Sequence, residues 1–88
     1  MNSNQFLLAV KTVDTLSKTP NRNELSDLYG LYKQAILGDN TNAEPNILNF
    51  KEHAKWKAWN KNKGLNKYNA EVNYITLVND LIEKYGLL

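Results

Sequence analysis

The stretch AEVNYITLVNDLIEKYG, Ala70–Gly86, decides the fold class. Its apolar residues Ala70, Tyr74, Leu77, Val78, Leu81, Ile82 and Tyr85 recur three or four positions apart, the period of one helix face. Gly86 supplies the stop. A strand would alternate every second residue, and no convincing alternation occurs here or elsewhere.

Three shorter helical patterns precede it. In the first, Phe6, Ala9, Val10, Val13 and Leu16 share a face, and the pattern ends before SKTPNRN, where Pro20 and the asparagines mark a connection. The second opens on Asn21 and Glu24, three apart as in a capping box. Leu25, Leu28, Tyr32, Ala35 and Ile36 form its face, and Gly38 its end. A long segment, DNTNAEPN with Pro45, follows, so helices two and three need not be tight antiparallel neighbours. The third pattern starts near Asn49, with Glu52 at capping-box spacing, and runs to before Gly64. It carries Ala54, Trp56, Ala58 and Trp59, and its two indoles cannot share one direction with equal burial. The fourth starts after Asn66. The expected fold is all-α, a four-helix bundle with one long crossover, in a single domain over residues 1–88.

Composition narrows the function. The chain has 88 residues, 42% hydrophobic and 23% charged, which is globular rather than disordered composition. With no cysteine there is neither a disulfide scaffold nor a thiolate zinc site. The single His53 has no HExxH partner, so a structural or solvent role is expected and no metal site. The start, MNSNQFLLAV, lacks a basic region and holds only five apolar residues in a row, unlike a secretory leader. Nothing approaches the roughly 18 apolar residues of a membrane span. These features predict a cytoplasmic protein.

The net charge is +2 but uneven: Lys51 to Lys67 holds six lysines against one acid, Glu52, a local +5, leaving −3 elsewhere. Such a patch points to an anionic partner. Arg22 is the only arginine, which argues against nucleic acid, where Arg forks do much of the reading.

No catalytic constellation emerges. Glu24 and Asp27 sit three apart in the first turns of a helix, where the helix dipole alone accounts for acids. Tyr29, Tyr32 and Lys33, at i, i+3 and i+4, lie on nearly one face. They read either as a core edge with a solvated lysine or as an aromatic platform with donors for a phosphate. Lys51 and Lys55, one turn apart, read either as a solvated face or as a phosphate clamp.

Three blocks then resemble one family. YGLYKQAILGD resembles the YxxYKQAxxGD motif of acyl-CoA-binding proteins. NFKEHAKWKAWNKNKG resembles that family's FKxxAKWxAWxxxKG segment, and AEVNYITLVNDLIEKYG its closing AxxxYIxxVxxLxxKYG helix. Order and spacing match over almost the whole chain. The resemblance implies an up-down-down-up four-helix bundle. It implies a monomeric, cytoplasmic, non-catalytic carrier and buffer of long-chain acyl-CoA in lipid metabolism. No cofactor, no nucleic acid and at most transient membrane contact are expected.

By the same resemblance, Tyr29 and Lys33 meet the 3′-phosphate of the CoA ribose, and Tyr32 lies beside the adenine. Lys55 meets the CoA phosphates with Lys51 as its neighbour, and Tyr74 packs against the CoA head. Gly30 and Leu31, between the tyrosines, fall in the same ligand-binding stretch, Gly30 allowing close approach. Leu25, Phe50 and Ala54 match apolar positions near the acyl chain. The chain departs from the pattern at Asp14, where many members carry a lysine, and an acid there attracts no phosphate. Leu7 and Leu8 add apolar surface where polar residues are common. Those two departures are the support for an alternative, a helical protein-interaction module with weakened ligand binding. RNA binding through the lysine-rich helix is a third reading, opposed by the shortage of arginine.

Overall fold

The computed structural model describes residues 2–88, so Met1 of the expected domain lies outside the described residues. Four helices make up the fold: α1 Asn4–Val13, α2 Arg22–Leu37, α3 Phe50–Asn60 and α4 Lys67–Tyr85. The described residues contain no strand, only an isolated antiparallel bridge between Leu16 and Leu87. The all-α, four-helix expectation is met. Helix α2 packs on both α3 and α4, and α1 packs on α4.

Of the periodic residues of α4, Ala70, Tyr74, Val78 and Leu81 are buried and Leu77, Ile82 and Tyr85 are half-buried. Phe6, Ala9, Leu16, Leu28, Ala35, Ala70, Tyr74, Val78 and Leu81 form one core, with Val10, Val13, Leu31, Ile36, Leu77 and Ile82 packed around it. Each large side chain here contributes roughly 1.5–3 kcal/mol by leaving water. Leu16 belongs to this core but not to α1, which ends at Val13. Its place is held by a return of the chain end: Ser17 N–H donates to the Gly86 carbonyl at 2.8 Å and Leu88 N–H to that of Thr15 at 2.8 Å.

Helix ends follow the expected signals with one exception, and Gly86 ends α4 as its place predicts. Asn21 and Glu24 form the full capping box, Asn66 caps α4 through Asn69 N–H at 2.7 Å, and Gly38 ends α2 at φ +80°, where a Cβ is disfavoured. The expected Asn49–Glu52 box does not form: Asn49 makes no side-chain cap. Asn46 organises that turn instead, its Oδ1 accepting from Leu48 N–H and its carbonyl from Asn49 N–H, both at 2.9 Å.

The long connection between α2 and α3 is pinned chiefly from α3. Trp59 Nε1 donates to the Gly38 carbonyl and Trp56 Nε1 to the Asn42 carbonyl, each at 2.8 Å. His53 Nε2 meets Glu44 Oε2 at 2.6 Å. Both indoles therefore act as anchors. Trp59 is buried and Trp56 only partly so, which is the inequality their spacing requires. His53 has the structural role expected of it.

Candidate functional site

The crossing of α2 and α3 creates the site. Gly30 is buried, and a Cβ built on it would stand 2.0 Å from the Ala58 carbonyl oxygen. Only glycine permits the two helices to meet so closely. Beside this contact the helices enclose a groove of about 710 Å³, lined by Arg22, Leu25, Ser26 and Tyr29 of α2 and by Phe50, Lys51, Ala54, Lys55 and Ala58 of α3. That volume lies within the range of about 300–1,000 Å³ common for small-molecule sites. The groove's lining carries three cations and no carboxylate.

A smaller recess of about 240 Å³ adjoins it, lined by Tyr29, Lys33, Asn42, Ala43, Pro45, Glu52, Lys55, Trp56 and Trp59. Tyr29 and Lys55 belong to both cavities, so the two form one continuous feature. The Lys33 Nζ lies 5.0 Å from the centre of the Trp59 ring, a cation–π contact that fixes the ammonium at the recess wall. Lys55 reaches Glu52 at 3.8 Å, with both side chains about half exposed. Exposed pairs of this kind are worth about 0–1 kcal/mol, so Lys55 is readily released to a better anion.

Six expected residues thus meet in the groove: Leu25, Tyr29, Phe50, Lys51, Ala54 and Lys55. Lys33 joins them through the recess. Tyr32 and Tyr74 lie apart from both, in an aromatic cluster with Phe6. The Phe6 ring stands 6.2 Å from that of Tyr32 and 5.1 Å from that of Tyr74. Tyr32 is exposed at its edge, whereas Tyr74 is buried. Burial pushes the Tyr74 hydroxyl up to about 12, helped by the neighbouring Tyr32 and the charge of Asp14. Asp14 itself is exposed, and its negative field falls on this aromatic cluster.

Two residues of the expected ligand-binding stretch line neither cavity. Gly30 is filled by α3 and serves helix packing. Leu31 points the other way, packing around the core and lining a separate cavity of about 340 Å³ with Asp27, Asn62, Asn73 and Leu77. One turn of helix places Tyr29 and Leu31 on different faces, because successive residues rotate by about 100°. Sequence reasoning missed the recess residues Asn42, Ala43 and Pro45, which belong to the loop, and Trp56 and Trp59, read only as anchors.

Among the described residues no group of His, Cys, Asp or Glu is placed to hold a metal ion. None of the described helices is long and apolar enough to cross a membrane.

Similarity to known proteins converges with this geometry. A sequence profile of the family described as "Acyl CoA binding protein" matches residues 3–78. The chain is 47% identical over 86 residues to an acyl-CoA-binding protein homolog of Drosophila melanogaster, covering 98% of this chain and all of the relative (100%). It is 46% identical over 86 residues to the acyl-CoA-binding protein of Saccharomyces cerevisiae, covering 98% and 99% of the two chains. The crystal structure of Oryza sativa acyl-CoA-binding protein 2 superposes with a TM-score of 0.86 at 39% identity, over 91% of this chain and 87% of that one. On a profile match across most of its length, this chain belongs to the acyl-CoA-binding protein family.

Proposed function

We propose that the chain binds long-chain acyl-CoA thioesters across the α2–α3 groove, without chemistry, and serves as an intracellular carrier and buffer of them. The observation that carries this reading is the sharing of Tyr29 and Lys55 between a groove with Leu25, Phe50 and Ala54 on its walls and a smaller recess that adds Lys33. An amphipathic ligand with a polyanionic head and an apolar tail matches that pairing. Residues 1–88 act as one acyl-CoA-binding domain, as a monomer in the cytoplasm.

In this reading the recess takes phosphate. Lys33 and Lys55 supply ammonium donors and Tyr29 a hydroxyl donor, the strong charge-assisted kind. Lys51 adds positive charge farther along the groove. Leu25, Phe50 and Ala54 receive the tail. Leu25 is 44% exposed and Phe50 75% exposed, so both have apolar area left to bury. The exposed edge of Tyr32, backed by Tyr74, offers an aromatic face to adenine. Asp14 beside that face opposes phosphate there, so the head relies on Tyr29, Lys33 and Lys55.

Calorimetry with palmitoyl-CoA, CoA and palmitate tests the proposal. Each buried methylene adds up to roughly 0.8 kcal/mol, less the freedom the tail loses. Palmitoyl-CoA is therefore expected to bind several orders of magnitude more tightly than CoA, and palmitate weakly. Equal weak binding of all three would overturn the reading in favour of a protein-interaction module.

A further inference from the structure

The groove between α2 and α3 has two unlike walls. On α3, Phe50, Ala54 and Ala58 follow one another at helical spacing and form an apolar row. On α2, Arg22, Ser26 and Tyr29 do the same, so a guanidinium, a hydroxyl and a phenol make up a row of hydrogen-bonding groups. Leu25 is the apolar side chain that α2 adds to the lining. At a rise of 1.5 Å per residue the polar row is about 10 Å long, with Ser26 near its middle. A purely alkyl tail finds partners on one wall and leaves the other without any.

Ser26 is the informative member of that row. It is half-buried and lines the groove. It has no capping duty, because Asn21 and Glu24 close the start of α2. A helical serine or threonine commonly satisfies its hydroxyl on the carbonyl four residues back. Thr12 does so, donating to the Leu8 carbonyl at 2.8 Å. Ser26 makes no such bond among the described residues, and its hydroxyl stays available to the groove. A methylene laid over it strips the hydroxyl of water and returns no hydrogen bond, which costs free energy. An oxygen on the chain at that level restores the bond. The neighbours select the group: Arg22 and Tyr29 are donors too and no carboxylate lines the groove, so the position suits an oxygen and repels an ammonium.

We propose that Ser26 makes the groove selective for acyl chains that carry a hydroxyl, so that hydroxyacyl-CoA thioesters are ligands of this chain. The proposal deepens the acyl-CoA reading above and rests on it. Ser26 donates to the ligand oxygen or accepts from it, Arg22 donates from one turn away, and Leu25, Phe50 and Ala54 keep the rest of the chain. Ser26 thus acts on the choice between tails and leaves the CoA head to the recess.

Calorimetry of the full chain with palmitoyl-CoA, β-hydroxypalmitoyl-CoA and ω-hydroxypalmitoyl-CoA tests this in the parent, in Ser26→Ala and in Ser26→Thr. The quantity read is the ratio of affinities, hydroxylated ester over plain ester, for each protein. Ser26→Ala is expected to lower that ratio roughly tenfold for at least one hydroxylated ester, the effect of leaving a buried hydroxyl without its partner. Ser26→Thr keeps the hydroxyl and is expected to keep the parent's ratio. Palmitoyl-CoA is expected to bind Ser26→Ala at least as tightly as the parent, since no serine hydroxyl is then desolvated. A merely structural role for Ser26 would move every affinity together and disturb the helical circular dichroism. Ratios that Ser26→Ala leaves unchanged for both hydroxylated esters overturn the proposal, as does a threonine variant that behaves like the alanine one. With palmitoyl-CoA still bound, either result leaves the carrier reading standing. Absence of binding by every ester overturns the carrier reading and this selectivity with it.

Discussion

Gly30 of α2 and Ala58 of α3 meet backbone to backbone: the space a Cβ would need at Gly30 is taken by the Ala58 carbonyl, 2.0 Å away, with Asn62 Nδ2 at 2.8 Å. Two effects oppose each other at this position. Alanine in a helix interior is favoured over glycine by about 1 kcal/mol. Overpacking against backbone that cannot rotate away costs about 1–3 kcal/mol, occasionally more. The clash is with a carbonyl, not with a flexible tip, so the second effect wins. Gly30→Ala is expected to lower the free energy of unfolding in urea and, by spreading α2 from α3, to weaken acyl-CoA binding as well. A variant more stable than the parent would show that the helices yield without cost.

In the proposed reading, the phosphate meets the Lys33 ammonium and the Tyr29 hydroxyl, both charge-assisted contacts. Lys33→Ala and Tyr29→Phe are each expected to weaken palmitoyl-CoA binding by roughly ten- to a hundredfold, in line with hydrogen bonds to a charged group. Helical circular dichroism is expected to persist in both. Calorimetry of the two variants with palmitoyl-CoA and with CoA checks this. An unaltered Lys33→Ala affinity would remove the recess from the site.

Glu24 ties the start of α2 to the end of α4. It caps α2, accepts from Lys84 Nζ at 2.8 Å and from the Tyr85 hydroxyl at 2.6 Å. Hydrogen bonds from Lys84, Tyr85 and the Asn21 backbone lower its carboxyl from 4.5 to about 2. A depressed folded-state value stabilises the fold above the unfolded value and loses that contribution as acid protonates the group. Stability from Glu24 is therefore fully present above 4.5 and declines as pH falls toward about 2. Urea unfolding at a series of acidic pH values is expected to show a shallower decline for Glu24→Gln than for the parent. Parallel pH profiles would contradict the assignment.

Much of the fold was legible because helical periodicity reports burial directly. Ala70, Tyr74, Val78 and Leu81 sit where their spacing puts them, and the Asn21–Glu24 box is local chemistry readable from four residues. What remained hidden depends on contacts between distant segments. Gly30 looks like a helix-weakening residue until α3 is laid across it. Glu24 looks like a cap alone because its partners lie 60 and 61 positions away. Glu71 gives no sign in its own neighbourhood that it will bind Asn2 Nδ2 at 2.6 Å and the Ser3 amide at 3.2 Å. At the site, Tyr29, Lys33 and Lys55, named through the resemblance, line one continuous cavity. Leu31 of the same motif lines a separate cavity, and adjacency in a motif does not report which side of the helix a residue takes. The spacing of Tyr74 with Val78 and Leu81 gave it to the core, and that is where it lies.

The ammonium of Lys33 over the Trp59 indole has an optical consequence. A positive charge held against that ring perturbs the electronic states from which it emits. A ligand phosphate that draws Lys33 off the ring removes the perturbation, while the indole N–H stays tied to the Gly38 carbonyl. The recess thus contains its own chromophore in Trp59, and phosphate occupancy there is expected to be readable from ultraviolet emission with no added dye.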